Sequence, residues 1–433
     1  MADLASSDVG AGPYRVMVCD DSAVIRGLIA RTLEADPDVH VVVTVADGQM
    51  AINALARNDV EVCILDIEMP VMDGLTALPH LVERQPDLQV IVASTLTRRN
   101  AEISLKALSV GAADYISKPT TSVALTAGND FKVELLSKVK ALGASRRRIR
   151  GIPRPNSTAT TAMVAPAAAI AAARAPIAAP VPPPAATRPS GSLFSRLPPV
   201  AAALPIAAAA PRPAAVARPV FAAAASHAAK APITLRPMPK EIPDVVAIGS
   251  STGGPQALFT LLTALGKISQ PILITQHMPA TFTTILAEHI ARASGIPTVE
   301  GAEDMPVERG KIYVAPGEFH MSIEGTAQNP IIKLLKTPPE NFCRPSVNPM
   351  LRSLVKLYGR RVLTVILTGM GQDGLKGAEG AVAVGGAIIA QDEATSIVWG
   401  MPGAVATAGL CSAVLPLPEI APLVRRLVTR AGP

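Results

Sequence analysis

The sequence predicts an α/β protein in which two doubly wound parallel sheets are joined by a long linker rich in alanine and proline. Short apolar runs alternate with helix-length segments from residue 14 to about residue 140, and the same alternation returns after residue 240. Between them, alanine and proline make up 49 of the 90 residues from 151 to 240. Apolar runs of this length, separated by helices, are typical of parallel strands that are covered on both faces.

The first region has five such runs, and the acidic residues after the first and third of them are candidate site residues. The runs are YRVMVC, VHVVVTVA, VEVCIL, LQVIVA and ADYIS. Asp20 and Asp21 follow the first run and Asp66 follows the third. If the strand order is 2-1-3-4-5, these strands are neighbours and the three carboxylates meet at one edge of the sheet. Three carboxylates without histidine or cysteine suit Mg²⁺; the alternative is that each aspartate only caps the following helix.

Two more polar residues follow strands of this region, namely Ser94 after the fourth run and Lys118 after the fifth. A hydroxyl and an ammonium group there could hold the oxygens of a phosphoryl group on Asp66. In the segments VMVCDDS, VCILDIEMPVMDGL, VIVAST and GAADYISKP, residues 14–135 resemble the response-regulator receiver family, which has a flavodoxin-like fold. The resemblance implies that Asp66 is the phosphoacceptor, that Asp20 and Asp21 complete the Mg²⁺ site, and that a histidine kinase is the phosphodonor. It also implies that Ser94 is the switch hydroxyl and Lys118 the phosphate partner.

The linker predicted at residues 141–240 explains the basic charge of the chain. It contains 13 basic residues and no acidic ones, so the remaining residues are net acidic although the whole chain carries a net charge of +6. It lacks the varied, periodic apolar residues that offset the entropy lost on ordering, and we expect it to be disordered. Because its charge is accompanied by almost no aromatic residues, we do not expect nucleic-acid binding.

The cysteines and the apolar segments predict a cytoplasmic protein. The four cysteines have no paired spacing, which favours buried thiols in a reducing compartment over disulfides or a zinc site. The first residues lack the basic start and apolar core of a signal peptide, and the alanine runs are interrupted by proline and arginine. We therefore expect no membrane insertion.

In the second region, a possible nucleophile, base and acid each follow an apolar run. The runs are DVVAIG, PILITQ, KIYVAP, RVLTVILTG and GAIIAQ. Ser251 follows the first and lies at the centre of a G-x-S-x-G pattern, His277 follows the second, and Asp373 follows the fourth. An imidazole can activate a serine hydroxyl if a carboxylate fixes its tautomer. The chain order Ser, His, Asp differs from that of the α/β-hydrolases, so the pattern does not predict their fold.

Other residues could take these roles, and an oxyanion site is also needed. The backbone N–H of Thr252 and the glycine-rich loop at 369–371 are candidate oxyanion donors. Ser250 is the alternative nucleophile and His320 the alternative base, although a core position is expected for His320. The alternative acids are Asp304 and Asp392, neither of which lies in a glycine-rich loop after a long apolar strand.

The segments GSSTGGP, QHMP, VAPGEFHM, CRPSVN, LTGMGQDG and QDEATSIVWGMPGAV, within residues 243–420, resemble the protein-glutamate methylesterase family of bacterial chemotaxis. The order of receiver, linker and esterase is also that family's architecture. The resemblance implies a catalytic domain at 241–430 with Ser251 as nucleophile, His277 as base, Asp373 as acid and the Met370 backbone as oxyanion donor, without a cofactor. Asn348 stands where the family commonly has aspartate.

The same resemblance implies a substrate and a form of regulation. The substrate would be a methyl ester on glutamate side chains of chemotaxis receptors, with methanol released and glutamine deamidation as a second activity. Phosphorylation of the receiver would control access to the serine. A signalling adaptor that binds a partner without catalysis is the alternative from another class. A DNA-binding regulator is a third possibility, but residues 241–433 show no basic recognition helix.

Overall fold

The computed structural model describes residues 12–95, 97–118, 129–152 and 233–429. We call residues 12–152 the amino-terminal region and residues 233–429 the carboxy-terminal region. The greater part of the predicted linker, residues 153–232, lies outside the described residues. Within the described ranges, every helix is too short or too polar to cross a lipid bilayer.

The amino-terminal region is built on a five-stranded parallel sheet in the order β2-β1-β3-β4-β5, which confirms the predicted order. Each apolar run of the sequence forms one strand: β1 Tyr14–Cys19, β2 Val39–Val45, β3 Val62–Asp66, β4 Gln89–Ser94 and β5 Asp114–Ser117. The helices are α1 Ala23–Glu34, α2 Gly48–Leu55, α3 Gly74–Arg84, α4 Arg98–Val110 and α5 Asn129–Arg150. The side chains of Ser22, Asp47, Asp73 and Thr97 each accept a hydrogen bond from a backbone N–H in the first turn of the helix that follows.

Helix α5 corrects the predicted start of the linker at residue 141, because residues 141–150 belong to this helix. Arg147 is buried and bonds both carboxylate oxygens of Glu61, at 2.6 and 2.8 Å. Arg146 is also buried, and its Nε lies 2.9 Å from Asp87 Oδ2. The run of arginines looked like linker because its acidic partners are more than 50 residues away in the chain.

The carboxy-terminal region contains a seven-stranded parallel sheet in the order β14-β13-β12-β6-β7-β9-β8, which confirms a second parallel α/β fold. The strands are β6 Val245–Ser250, β7 Ile272–Gln276, β8 Thr298–Glu300, β9 Ile312–Val314, β12 Val362–Ile366, β13 Ala387–Gln391 and β14 Ala413–Leu415. Strands β10 His320–Gly325 and β11 Pro330–Leu335 form a separate antiparallel hairpin. The five predicted apolar runs form β6, β7, β9, β12 and β13, whereas the two edge strands of three residues and the hairpin were not predicted.

Helices cover both faces of this sheet. They are α6 Gly254–Leu265, α7 Ala280–Ser294, α8 Val347–Tyr358, α9 Leu375–Ala383, α10 Met401–Thr407 and α11 Leu417–Val428. Strand β6 is buried along its whole length: Val246 and Ile248 pack in one apolar cluster, while Val245 and Ala247 pack in a second cluster on the opposite face. The central strands β12, β6 and β7 are adjacent and parallel, so their carboxyl ends lie side by side.

Candidate active site

Three predicted site residues follow the three central strands of the second sheet. Ser251 follows β6, His277 follows β7, and Asp373 follows β12. The imidazole Nε2 of His277 lies 2.8 Å from Asp373 Oδ2. The backbone N–H of His277 donates to the backbone carbonyl of Ser250 at 3.3 Å. The structure therefore joins the predicted base to the predicted acid beside the serine turn. The hydroxyl of Ser251 itself makes no hydrogen bond to any described residue, so proton transfer requires it to move within reach of the imidazole.

The turn after β6 distinguishes the two neighbouring serines. Ser250 is fully buried, and its hydroxyl donates to Gln276 Oε1 at 2.7 Å. Ser251 is partly exposed, and Gly253 adopts a φ of 75°, which favours glycine and turns the chain into α6. A Cβ atom on Gly254 would lie 2.0 Å from Gln276 Oε1, so the backbone passes close to β7 at this point. Ser251 is therefore the serine that this turn presents.

Asp373 is a buried carboxylate with a full set of donors. It accepts hydrogen bonds from His277 Nε2 at 2.8 Å, Ser346 Oγ at 2.7 Å, Asn341 Nδ2 at 3.1 Å, and the amides of Val347 and Gly374 at 2.6 and 2.9 Å. Burial alone would raise the pKa of Asp373, but these bonds, above all that from His277, hold the pKa below its ordinary value. The carboxylate remains ionised and can orient the imidazole.

The same pairing acts on His277. Burial by itself would lower the pKa of His277, but the hydrogen bond to Asp373 and the electrostatic influence of Cys343 raise the pKa above the ordinary value of 6.5. The pair therefore stabilises the imidazolium that forms when the histidine accepts a proton.

Two backbone N–H groups next to Ser251 are available for a substrate oxygen. A Cβ atom on Gly369 would lie 2.9 Å from the Cβ of Ser251, which places the 369–371 loop directly against the serine. The amide of Ser251 donates to the carbonyl of Thr368 at 3.1 Å. Within the described ranges, the amides of Thr252 and Met370 have no acceptor. They are therefore free to stabilise a developing oxyanion.

The alternative residues are engaged elsewhere. His320 is fully buried, with Nε2 3.1 Å from the carbonyl of Pro338 and Nδ1 accepting from the amide of Ser346 at 3.1 Å. Asp304 lies 2.5 Å from Lys333 Nζ, while Asp392 accepts from the amide and hydroxyl of Thr395. Asn348 is buried and accepts from the amide of Gly377 at 2.8 Å, so it links α8 to α9.

The sequence did not indicate Ser346 and Asn341 as partners of Asp373. Ser346 lies in the segment CRPSVN and is the N-cap of α8, since its hydroxyl accepts from the amide of Asn348. A serine before a helix predicts a cap. The same hydroxyl also donates to Asp373, which lies 27 residues further along the chain. No local sequence pattern indicates this second bond.

The acidic residues of the amino-terminal region also converge. One oxygen from each of Asp20, Asp21 and Asp66 lies within 4.8 Å of the others. Lys118 Nζ lies 2.6 Å from Asp66 Oδ1 and 2.7 Å from Asp20 Oδ2. Burial raises the pKa of Asp66, an effect that the bond to Lys118 opposes. Ser22, rather than either aspartate, caps α1, so this cluster is not explained by capping, and its all-carboxylate donor set fits Mg²⁺.

Ser94 ends β4, at the same edge of the sheet. Its buried hydroxyl shares a 2.9 Å hydrogen bond with the hydroxyl of Ser104 in helix α4. The carbonyl of Ser94 accepts from the amide of Lys118 at 2.8 Å. The predicted switch hydroxyl thus lies at the expected strand end, but in this structure it is bonded to α4 rather than to Asp66.

Helix α4 also forms part of the contact between the two regions, since it packs on α7. Arg98 of α4 forms a 2.9 Å ion pair with Glu288 of α7, and the ring of Tyr115 stacks on Phe282 of α7 with centroids 4.5 Å apart. Gln256 in α6 donates to the carbonyl of Ala112. The amino-terminal region therefore contacts the two helices that follow Ser251 and His277.

A second contact reaches the loop beside Ser251. Arg148 of α5 donates to the carbonyl of Ser396 at 2.7 Å. Two residues further on, the carbonyl of Val398 accepts from the amide of Gly369 at 3.0 Å. This contact connects α5 to the loop that carries Met370.

Comparison with known proteins gives two family matches and close relatives. The family model described as CheB methylesterase matches residues 246–424, and that of the response regulator receiver domain matches residues 16–128. A protein-glutamate methylesterase/protein-glutamine glutaminase of Rhodospirillum centenum is 53% identical over 422 residues, covering 97% of this chain and 95% of the relative. One from Rhodospirillum rubrum is 50% identical over 425 residues, covering 98% of this chain and 97% of the relative. The crystal structure of the Thermotoga maritima CheB methylesterase catalytic domain is 37% identical and covers 43% of this chain and 99% of that chain, with a TM-score of 0.42.

Proposed function

This chain belongs to the CheB methylesterase family and carries a response-regulator receiver domain, and we propose that it is a phosphorylation-regulated protein-glutamate methylesterase and protein-glutamine glutaminase. It removes methyl groups from glutamate side chains of chemotaxis receptors and releases methanol. The observation that carries this proposal is the 2.8 Å contact between His277 and Asp373 beside the turn that holds the partly exposed Ser251. A signalling adaptor without catalysis would have no need for this arrangement.

In the proposed reaction Ser251 Oγ attacks the carbonyl carbon of the ester while His277 accepts the hydroxyl proton. Since Nε2 is bonded to Asp373, Nδ1 is the nitrogen that takes this proton. The amides of Thr252 and Met370 stabilise the resulting oxyanion. His277 then protonates the leaving methoxide, which departs as methanol and leaves an acyl-serine.

Hydrolysis of the acyl-serine completes the cycle. His277 removes a proton from a water molecule, the water oxygen attacks the acyl carbon, and the proton returns to Ser251 Oγ as the glutamate carboxylate leaves. A glutamine side chain follows the same steps, with ammonia as the leaving group in place of methanol. Asp373 keeps the imidazole in one orientation throughout, because three further groups besides His277 and Gly374 hold its carboxylate.

Mass spectrometry of receptor peptides tests this function. After incubation with the full chain, we expect each methylated glutamate peptide to lose the mass of one methylene group, with one equivalent of methanol released. A fluorophosphonate should label Ser251 covalently, because such probes react with activated serines. Unchanged peptide masses together with an unlabelled Ser251 would support the adaptor instead.

We also propose that the receiver restrains the esterase until Asp66 is phosphorylated. Asp20, Asp21 and Asp66 would hold Mg²⁺, which when bound offsets the negative charge of the incoming phosphoryl oxygens. The phosphoryl group carries about two negative charges, in place of the single charge of the Asp66 carboxylate, and these attract Lys118 and the hydroxyl of Ser94. Because that hydroxyl is now bonded to Ser104, its movement would release α4, which packs on α7 of the esterase.

This regulation predicts that a small phosphodonor with Mg²⁺ raises the methylesterase rate of the full chain, and that Asp66→Ala abolishes the rise. Arg98→Glu should raise the rate without a phosphodonor, because it places a negative charge against Glu288. Initial rates of methanol release measure both effects.

Arg99→Glu is the matched control for the second variant. It makes the same change of charge at the next residue, which is exposed and makes no ion pair with the carboxy-terminal region in the described structure. If both glutamate variants behave alike, or if phosphodonor acts equally on wild type and Asp66→Ala, the proposed restraint is wrong.

A further inference from the structure

Phe342 has an aromatic side chain that is fully exposed on the surface of the protein. Its relative exposure is 102%, and among the large apolar side chains exposed in the described ranges it is the only aromatic one. A single exposed apolar residue is common on protein surfaces. The backbone of Phe342 adds a second, rarer feature, because its φ is 63°, in the left-handed region that bulky residues avoid.

The turn that carries Phe342 is a two-residue hairpin. The amide of Glu340 donates to the carbonyl of Cys343 at 3.1 Å, and the amide of Cys343 donates to the carbonyl of Glu340 at 2.9 Å. Both central residues, Asn341 and Phe342, have positive φ values, of 51° and 63°. Such a turn favours asparagine followed by glycine. Here the second position holds a phenylalanine that is strained and gains no packing in the folded chain.

The turn is fixed next to the catalytic residues. Asn341 Nδ2 donates to Asp373 Oδ1 at 3.1 Å, and Cys343 interacts electrostatically with the imidazole of His277. On the outer side, the guanidinium of Arg352 in α8 bonds both carboxylate oxygens of Glu340. These bonds hold the turn in one position, so the exposed ring is presented at a defined place beside the site of hydrolysis. Strained residues of this kind are found where structure serves binding or catalysis.

We propose that Phe342 is a substrate-docking residue, whose ring packs on apolar side chains of the receptor segment that carries the esterified glutamate. The proposal rests on the proposed methylesterase function. A methyl ester is a small group that recurs in any methylated peptide, so selection of a protein substrate requires contacts outside the reacting carbonyl. A rigid aromatic ring provides such a contact at low entropic cost, and aromatic anchors contribute a large share of binding energy in protein interfaces.

Steady-state kinetics of the full chain with a methylated receptor fragment test the proposal. F342G removes the ring and gives the turn its preferred Asn-Gly pair, so we expect thermal stability to be unchanged or higher. We expect KM for the receptor fragment to rise about tenfold, the loss that follows truncation of an aromatic anchor, with kcat changed less than about twofold. Phe342→Tyr keeps the ring and should keep KM within about twofold of wild type. Val384→Ala, which truncates another exposed apolar side chain of the same region, is the matched control.

Fluorophosphonate labelling of Ser251 separates this proposal from the proposed function. If Phe342 acts in docking, F342G should be labelled at the wild-type rate while its KM for the receptor fragment rises. A KM within twofold of wild type, or a parallel fall in labelling and kcat, would overturn the docking role and leave the esterase function standing. Failure of the wild-type chain to hydrolyse the fragment would instead reject the proposed function itself.

Discussion

Replacing Ser251 with alanine is expected to lower the turnover of a methylated receptor about a million-fold, because in the proposed mechanism Ser251, His277 and Asp373 act as a unit and nothing would replace the nucleophile. Ser250 lies one residue earlier but cannot substitute, since its hydroxyl is buried and donates to Gln276 Oε1 at 2.7 Å. Release of methanol, measured at saturating receptor fragment, gives kcat for both proteins.

Ser250→Ala is the matched control for this prediction. It removes an identical hydroxyl from the neighbouring residue and costs one hydrogen bond, so kcat should fall by less than about tenfold. The circular dichroism spectra and melting temperatures of both variants check that they are folded. A Ser251→Ala protein that demethylates the receptor at the wild-type rate would show that another residue is the nucleophile.

The positions of Ser251, His277 and Asp66 could be predicted from the sequence because they depend on a local rule. Each residue directly follows, or ends, an apolar run that forms a buried strand. Parallel strands end at the same edge, so residues far apart in the chain are brought together once the strand order is known. The order β2-β1-β3-β4-β5 was predicted, and it accounts for the convergence of the three carboxylates.

What the sequence did not predict depends on pairings between distant residues. The arginines of α5 look like linker in isolation and become part of a helix through Glu61 and Asp87. Ser346 and Asn341 reach Asp373 only because α8 and the turn before it pack against the end of β12. The bond between Ser94 and Ser104 joins residues only ten positions apart, but it also depends on packing, since it forms where α4 lies against β4.

The second large effect is expected at Asp373, where the chemically small change Asp373→Asn should lower kcat about ten-thousand-fold. Oδ1 of the carboxylate accepts three donors, from Ser346, Asn341 and the amide of Gly374, whereas Oδ2 accepts two, from His277 and the amide of Val347. The single oxygen of an asparagine would therefore occupy the Oδ1 position. Its NH₂ group would face His277 Nε2, so the imidazole would have to accept a bond there and carry its proton on Nδ1, the nitrogen required as base.

The same variant should also change the pH dependence. In the wild type the pKa of His277 is raised by Asp373, so kcat/KM should increase with pH through a midpoint above 6.5, as the imidazolium loses its proton and becomes a base. In Asp373→Asn the negative charge is lost while burial, which lowers the pKa, remains. The midpoint should therefore fall relative to wild type.

Asp304→Asn provides the comparison, because it makes the same chemical change at an exposed carboxylate that pairs with Lys333 and does not contact His277. Residue 304 has a left-handed φ of 59°, which asparagine tolerates. The kcat of the Asp304→Asn variant and the midpoint of its pH profile should therefore match those of wild type. A midpoint in Asp373→Asn equal to that of wild type would mean that the charge of Asp373 does not set the proton affinity of the base. The fall in kcat would then have to come from the position of the imidazole alone, which a proton NMR measurement of its tautomer can decide.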